Sequence, residues 1–187
     1  MPTSEHRQIP HICDVLVDEQ PSSVLDVGAG YGKYGVLARE FGGATRVDAI
    51  DAVAPRFPVY DHVYLGDLRA IDTLLPADAP HYDLALFIDV IEHLEKADAW
   101  KFLDSLVLKA RKVLITTPWG FRPQQIDGMP WETHRSGWFP WEFRTRFRLY
   151  RWSVFPGRLS RVLHRPRLWQ VLVLIGAREG SPAGGTG

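Results

Sequence analysis

Residues 24–32 read Val24-Leu25-Asp26-Val27-Gly28-Ala29-Gly30-Tyr31-Gly32. An apolar run broken by a single acid enters glycines at alternate positions. Beyond them Tyr34, Leu37, Ala38 and Phe41 recur at helical spacing, until Gly42-Gly43 stops the pattern. The order is therefore strand, glycine turn, helix. Glycine lets the backbone turn sharply and lets a ligand approach with no Cβ in its way. The helix N-terminus that follows favours negative charge. A Gly-x-Gly pair alone is common in such turns, but here the flanking strand and helix direct it towards nucleotide binding.

Upstream, Ile9, Ile12, Cys13 and Leu16 share a helical face, predicting a helix that ends near Gln20, ahead of Pro21. Downstream, strands are predicted over 45–50, 62–65, 82–89 and 112–117. A loop or broken helix with two prolines fills 54–60, and a short helix covers 68–75. A longer helix covers 95–110, with Trp100, Leu103, Leu106, Val107 and Ala110 on one face. Residues 82–89 are almost wholly apolar, as expected of a strand covered on both faces. Residues 119–137 form a long loop and 138–143 open a short helix; 147–154 and 169–175 are the last two strands. Strands alternating with helices predict an α/β fold. The expectation is a doubly wound, mostly parallel seven-stranded sheet with helices on both faces and an antiparallel C-terminal hairpin. Residues 1–178 are expected to make one domain and 179–187 a flexible tail.

Composition narrows the class. The chain has 187 residues, 45% of them hydrophobic and 24% charged, with no net charge. That suits one globular domain with a full core. The single cysteine, Cys13, forms no intrachain disulfide and is expected as a small buried hydrophobe. Residues 1–8 lack the apolar core of a signal peptide. The longest apolar run, 171–175, is far short of a membrane span. A cytoplasmic location is expected.

The second informative residue is Asp51, which closes the second strand nineteen residues beyond Gly32. An acid there suits the two hydroxyls of a ribose. A dehydrogenase and a methyltransferase both fit so far. The glycines run G-x-G-x-G rather than the G-x-G-x-x-G of dinucleotide folds. Further on stand Gly66-Asp67-Leu68 and Asp89-Val90-Ile91-Glu92-His93-Leu94. Together these residues resemble the class I S-adenosylmethionine-dependent methyltransferases. The subgroup they most resemble is small-molecule enzymes with an Asp-Val-x-Glu-His segment after strand four. The likeness spans 22–117.

The resemblance implies S-adenosyl-L-methionine as cofactor. It implies that Asp26, Gly28, Ala29, Gly30 and Gly32 hold the methionine portion. Asp51 would bind the ribose, with Ala52 beside the adenine. Asp67 would bond the adenine amino group, with Leu68 packed next to it, and Asp89 would lie at the strand end. Read from the chain alone, Asp67 equally suits the N-cap of the helix that follows.

Beyond residue 117 the likeness thins. His134-Arg135-Ser136-Gly137-Trp138 resembles a His-x-Ser-x-Trp segment of some family members, within an unusually aromatic loop. It reads either as a lid over the acceptor or as a loop anchored by its tryptophans. Glu92, His93 and His134 are the candidate catalytic residues, as base or acceptor ligands; His93 equally suits a helix-orienting role. These three residues could meet in space, but no spacing requires it, and no metal is expected. From Arg144 to Arg178 there are nine arginines and no carboxylate. They suit an acceptor that is phosphorylated or presented on a membrane, or else pair with acids elsewhere. Arg144, Arg146 and Arg148 would share one face of a strand, but scatter if 138–148 is helical. A small-molecule acceptor is expected and nucleic acid is not, since no Asn/Asp-Pro-Pro-aromatic segment is present. The alternatives are a non-catalytic cofactor-binding regulator or scaffold and a nicotinamide oxidoreductase. The residues define no oligomeric state.

Overall fold

The computed structural model describes residues 5–156 and 169–178. The elements in chain order are α1 (Ile9–Glu19), β1 (Ser23–Val27), α2 (Lys33–Glu40), β2 (Arg46–Asp51), β3 (His62–Leu65) and α3 (Ile71–Leu74). They continue with β4 (Tyr82–Ile88), α4 (Lys96–Leu106), β5 (Ala110–Pro118), α5 (Pro140–Phe143), β6 (Arg148–Pro156) and β7 (Trp169–Gly176). One seven-stranded sheet runs β3-β2-β1-β4-β5-β7-β6. The first five strands are parallel, and β7 pairs antiparallel with both β5 and β6.

The alternation of strand side chains divides the core. On β4, Ala85 and Phe87 join Phe102, Leu103 and Leu106 of α4 on one face. Leu84, Leu86 and Ile88 join Ile12, Val15 and Leu16 of α1 and Ala38 of α2 on the other. All these residues are buried. An apolar run with no polar partner face is what a strand between two helical layers needs. Cys13 is only half-buried, because the inward stripe of α1 is Ile12, Val15 and Leu16. Phe41 likewise falls beyond the end of α2 and is exposed.

The C-terminal strands hold one correction. Arg144 caps α5 and Arg146 sits in the turn after it, so only Arg148 is on β6 and the three arginines share no strand face. Pro140 starts a helical turn there, closed by the Glu142 carboxylate accepting from the Phe139 N–H at 2.9 Å. The predicted tail, 179–187, and Arg158, Arg161, Arg165 and Arg167 lie outside the described residues.

Candidate functional site

Four strand ends build a cavity of about 980 Å3 at the C-terminal edge of the parallel strands. Ligands bind at this edge in open α/β sheets, where the strand order reverses between β1 and β4. Of the residues expected at a cofactor, Gly28, Ala29, Gly30, Asp51, Ala52, Asp67, Leu68 and Asp89 all line this cavity. Asp26 and Gly32 do not, and their places explain what they do instead.

Gly28 has φ +75°, and a Cβ there would lie 2.4 Å from Val90 Cγ2. Only glycine suits both demands. The turn is tied to β2, because Gly30 N–H donates to an Asp51 carboxylate oxygen at 2.8 Å. The other oxygen of Asp51 accepts from Val53 N–H at 2.9 Å. Two bonds leave a carboxylate with further acceptor positions, so Asp51 is both a brace for the turn and a free acceptor at the cavity wall. Gly32, at φ +99°, is the N-cap of α2.

Asp26 is buried at the end of β1 and accepts the Tyr60 hydroxyl at 2.6 Å. Burial, the leading cause, lifts its pKa to about 7; the Tyr60 bond opposes this. The Tyr60 hydroxyl is itself pushed up by burial and by Asp26. Asp26 thus holds the loop after β2 against the glycine turn from behind the cavity.

Asp67 caps the 3-10 turn over Leu68–Ala70, accepting Arg69 N–H at 2.9 Å and pairing with the Arg69 guanidinium. The Arg69 bond holds its carboxyl below the usual range. The capping role is therefore present, on a side chain that also borders the cavity.

Asp89 follows β4 with φ +54°, a left-handed conformation that Asp tolerates better than most residues. Its carboxylate accepts from Gln8 Nε2 at 2.7 Å and from Thr116 Oγ1 at 3.0 Å. Burial raises its pKa against those bonds and against Lys33. Gln8 also donates to the Tyr34 hydroxyl at 2.9 Å. Gln8, Lys33, Tyr34 and Thr116 are partners that no motif announces. Gln8 lies 81 positions from Asp89, and only the packing of the segment ahead of α1 brings them together.

Opposite the glycine turn the cavity is lined by His93, Glu132 and Arg135, with Pro130 and Trp131. Glu92 is buried beneath, and its carbonyl accepts the N–H groups of Arg135 at 2.7 Å and Ser136 at 3.1 Å. Ser136 Oγ bonds the Ile91 carbonyl at 3.2 Å and receives Trp138 Nε1 at 2.8 Å. Trp138 is fully buried against Trp100, ring centroids 4.8 Å apart. Lys96 donates to the Gly137 carbonyl at 3.0 Å. Residues 135–138 are therefore anchored to the turn after β4 and to α4, while Trp131 remains exposed at the rim. The anchored reading of the aromatic loop therefore holds for 135–138.

His93, Glu92 and His134 do meet, with ligand atoms all within 4.8 Å of one another. The two rings stand edge to face, centroids 4.9 Å apart. Burial lowers both histidine pKa values, so both rings favour the neutral form. Burial foremost, then Asp89, raises that of Glu92 well above the ordinary range. A neutral imidazole at the cavity can accept a proton or bind a ligand.

Among the described residues, the arginines of 144–178 are absent from the cavity wall. Arg146 pairs with Asp104 at 3.2 Å and Arg151 with Asp18 at 2.6 Å, so two of them meet acids from the earlier part of the chain.

Solved structures share this fold. The chain resembles the 1,6-didemethyltoxoflavin-N1-methyltransferase of Burkholderia thailandensis, determined with S-adenosylhomocysteine, at TM-score 0.65 and 18% identity over 94% of this chain and 80% of that one. It resembles the N-methyltransferase NodS of Bradyrhizobium japonicum WM9, also with S-adenosylhomocysteine, at 0.61 and 15% over 92% and 87%. The small RNA methyltransferase HEN1 matches at 0.64 and 14%, over 94% of this chain and 25% of its own length. No family model and no curated protein matches the chain. These solved methyltransferases share the architecture of the chain.

Proposed function

We propose that the protein is an S-adenosylmethionine-dependent methyltransferase acting on a small-molecule acceptor. The observation that carries this is the convergence of Gly28, Gly30, Asp51, Asp67 and Asp89 on one cavity at the strand ends. That is the set and order the family resemblance assigns to the cofactor. Neighbours of the same fold are solved with S-adenosylhomocysteine bound.

In this reading Asp51 receives the ribose hydroxyls and Asp67 the adenine amino group. The glycine turn lies along the methionine portion, and Lys33 and Asp89 border it. The sulfonium supplies an activated methyl group. The chain's own residues align the acceptor opposite it and exclude water. His93, neutral and at the wall, would take the acceptor's proton where the nucleophile carries one and its ring nitrogen holds no metal ion. A phosphorylated or otherwise anionic acceptor would meet Arg135, whose guanidinium stands at the wall 3.8 Å from Glu95.

Titration calorimetry tests the cofactor assignment. S-adenosylhomocysteine is expected to bind with one-to-one stoichiometry, and NAD not to bind. Binding of NAD alone overturns it. Methyl transfer is tested by mass spectrometry of metabolite fractions incubated with S-adenosylmethionine. An acceptor peak heavier by one methylene, absent without enzyme, is the expected result. Competition by pyrophosphate tests the anionic acceptor.

A further inference from the structure

We propose that Glu92, His93 and His134 form a binding site for a divalent first-row transition-metal ion, reversing the expectation of no metal. Three observations converge. The ligand atoms of these residues lie within 4.8 Å of one another; ligands about 2.0–2.2 Å from one ion stand at most roughly 4.4 Å apart, so side-chain rotations of a few tenths of an ångström let one ion bridge all three. Glu92 is 3% exposed, yet its Oε2 has no hydrogen-bond partner. A buried carboxylate oxygen without a partner is costly, and a cation removes the cost.

Both rings are also already oriented. His93 Nδ1 stands 3.3 Å from the Thr133 carbonyl, and His134 Nδ1 stands 2.6 Å from the Arg122 carbonyl. A carbonyl only accepts, so His134 Nδ1 carries the hydrogen and its Nε2 keeps a lone pair, while the His93 ring is held by the Thr133 and Asp89 backbone. Metal-binding histidines are fixed in this way, by a backbone or carboxylate acceptor on the other ring nitrogen.

Two imidazoles and one carboxylate suit zinc and its first-row neighbours better than calcium or magnesium, which take all-oxygen shells. Three protein ligands also leave coordination positions open, as in catalytic rather than structural sites. His93 lines the cavity, so those positions border the acceptor side. The ion would join the turn after β4 to the far end of the loop after β5, fastening His134 to the site. Because uptake is read without cofactor, failure here leaves the methyltransferase reading intact, and the reverse also holds.

Cobalt(II) is the probe. The full chain is stripped with chelator and titrated with cobalt(II), followed by visible absorption and thermal melting. One equivalent is expected to bind, giving a d–d band and a raised melting temperature. His93→Ala, His134→Ala and the near-isosteric Glu92→Gln are each expected to weaken uptake by about tenfold or more. Circular dichroism confirms their folding. The wild-type titration alone is decisive if a variant does not fold. No saturable uptake by the wild type overturns the site. So does undiminished uptake in the folded His93→Ala/His134→Ala double variant, which places the cobalt elsewhere.

Discussion

Asp51 and Asp26 are both carboxylates at parallel-strand ends, yet they carry opposite consequences. Asp51 braces the glycine turn through one oxygen and keeps acceptor capacity at the cavity. Charged hydrogen bonds are worth roughly 1.5–3 kcal/mol each. Asp51→Ala is expected to weaken S-adenosylhomocysteine binding by about tenfold or more, measured by calorimetry, with the circular dichroism spectrum unchanged. Unchanged affinity in the folded variant removes Asp51 from the ribose. Asp26 is buried, and its pKa of about 7 exceeds the ordinary 3.8. The folded state therefore holds this proton more tightly than the unfolded state does. Its contribution to stability is full below about pH 4 and is lost as pH rises towards 7. The slope over that window is at most about 1.4 kcal/mol for each step of one in pH. Asp26→Asn keeps an acceptor for Tyr60 and removes the titration. Urea unfolding from pH 4 to 8 is expected to show the variant gaining on the wild type across that window. Parallel curves for the two proteins contradict the assignment.

The loop after β5 behaves as two pieces. Residues 135–138 are held by Glu92, Ile91, Lys96 and the buried Trp138. Phe139, Trp119 and Trp141 continue the anchor, with Phe139 and Trp141 stacked at 4.7 Å and Trp119 edge-on to both. Residues 125–131 include exposed positions and a glycine, Gly128, with open space around it. Hydrogen exchange of the free protein is expected to find the amides of Arg135 and Ser136 protected and those of 125–128 fast. Adding S-adenosylhomocysteine and acceptor is expected to slow the second group. Uniformly fast exchange across 119–138 would mean that the anchors do not hold in solution. The tryptophans are legible in the chain as aromatic, but their role is not. An exposed rim residue such as Trp131 and a buried wedge such as Trp138 look alike until the element that covers one of them is known.

For the whole molecule, the fold predicts stabilisation by the right cofactor. A ligand at about 100 times its Kd adds about 2.7 kcal/mol to the folded state. S-adenosylhomocysteine should therefore raise the melting temperature while NAD leaves it unchanged; the opposite pattern would assign the cavity to a dinucleotide. Among the described residues no helix is long and apolar enough to cross a membrane. Most of the architecture is legible in the chain, because it rests on local periodicity. Residues 82–88 have too few polar side chains for an exposed face, so they must lie between two helical layers. The run 24–32 turns sharply with Gly28 at φ +75°, a conformation that glycine adopts without strain. Hence the parallel strands, the turn and the acids at the strand ends follow from residue order alone. Contacts between distant segments do not. That β7 rather than β6 pairs with β5, that Gln8 reaches Asp89, and that His134 arrives beside Glu92 and His93 are tertiary facts. Their spacing in the chain carries no period, because loops set them and packing selects one arrangement among many. The pattern of residues determined the sheet and the edge that bears the cavity, and only the closing of the long loop onto the turn after β4 decided what stands opposite it.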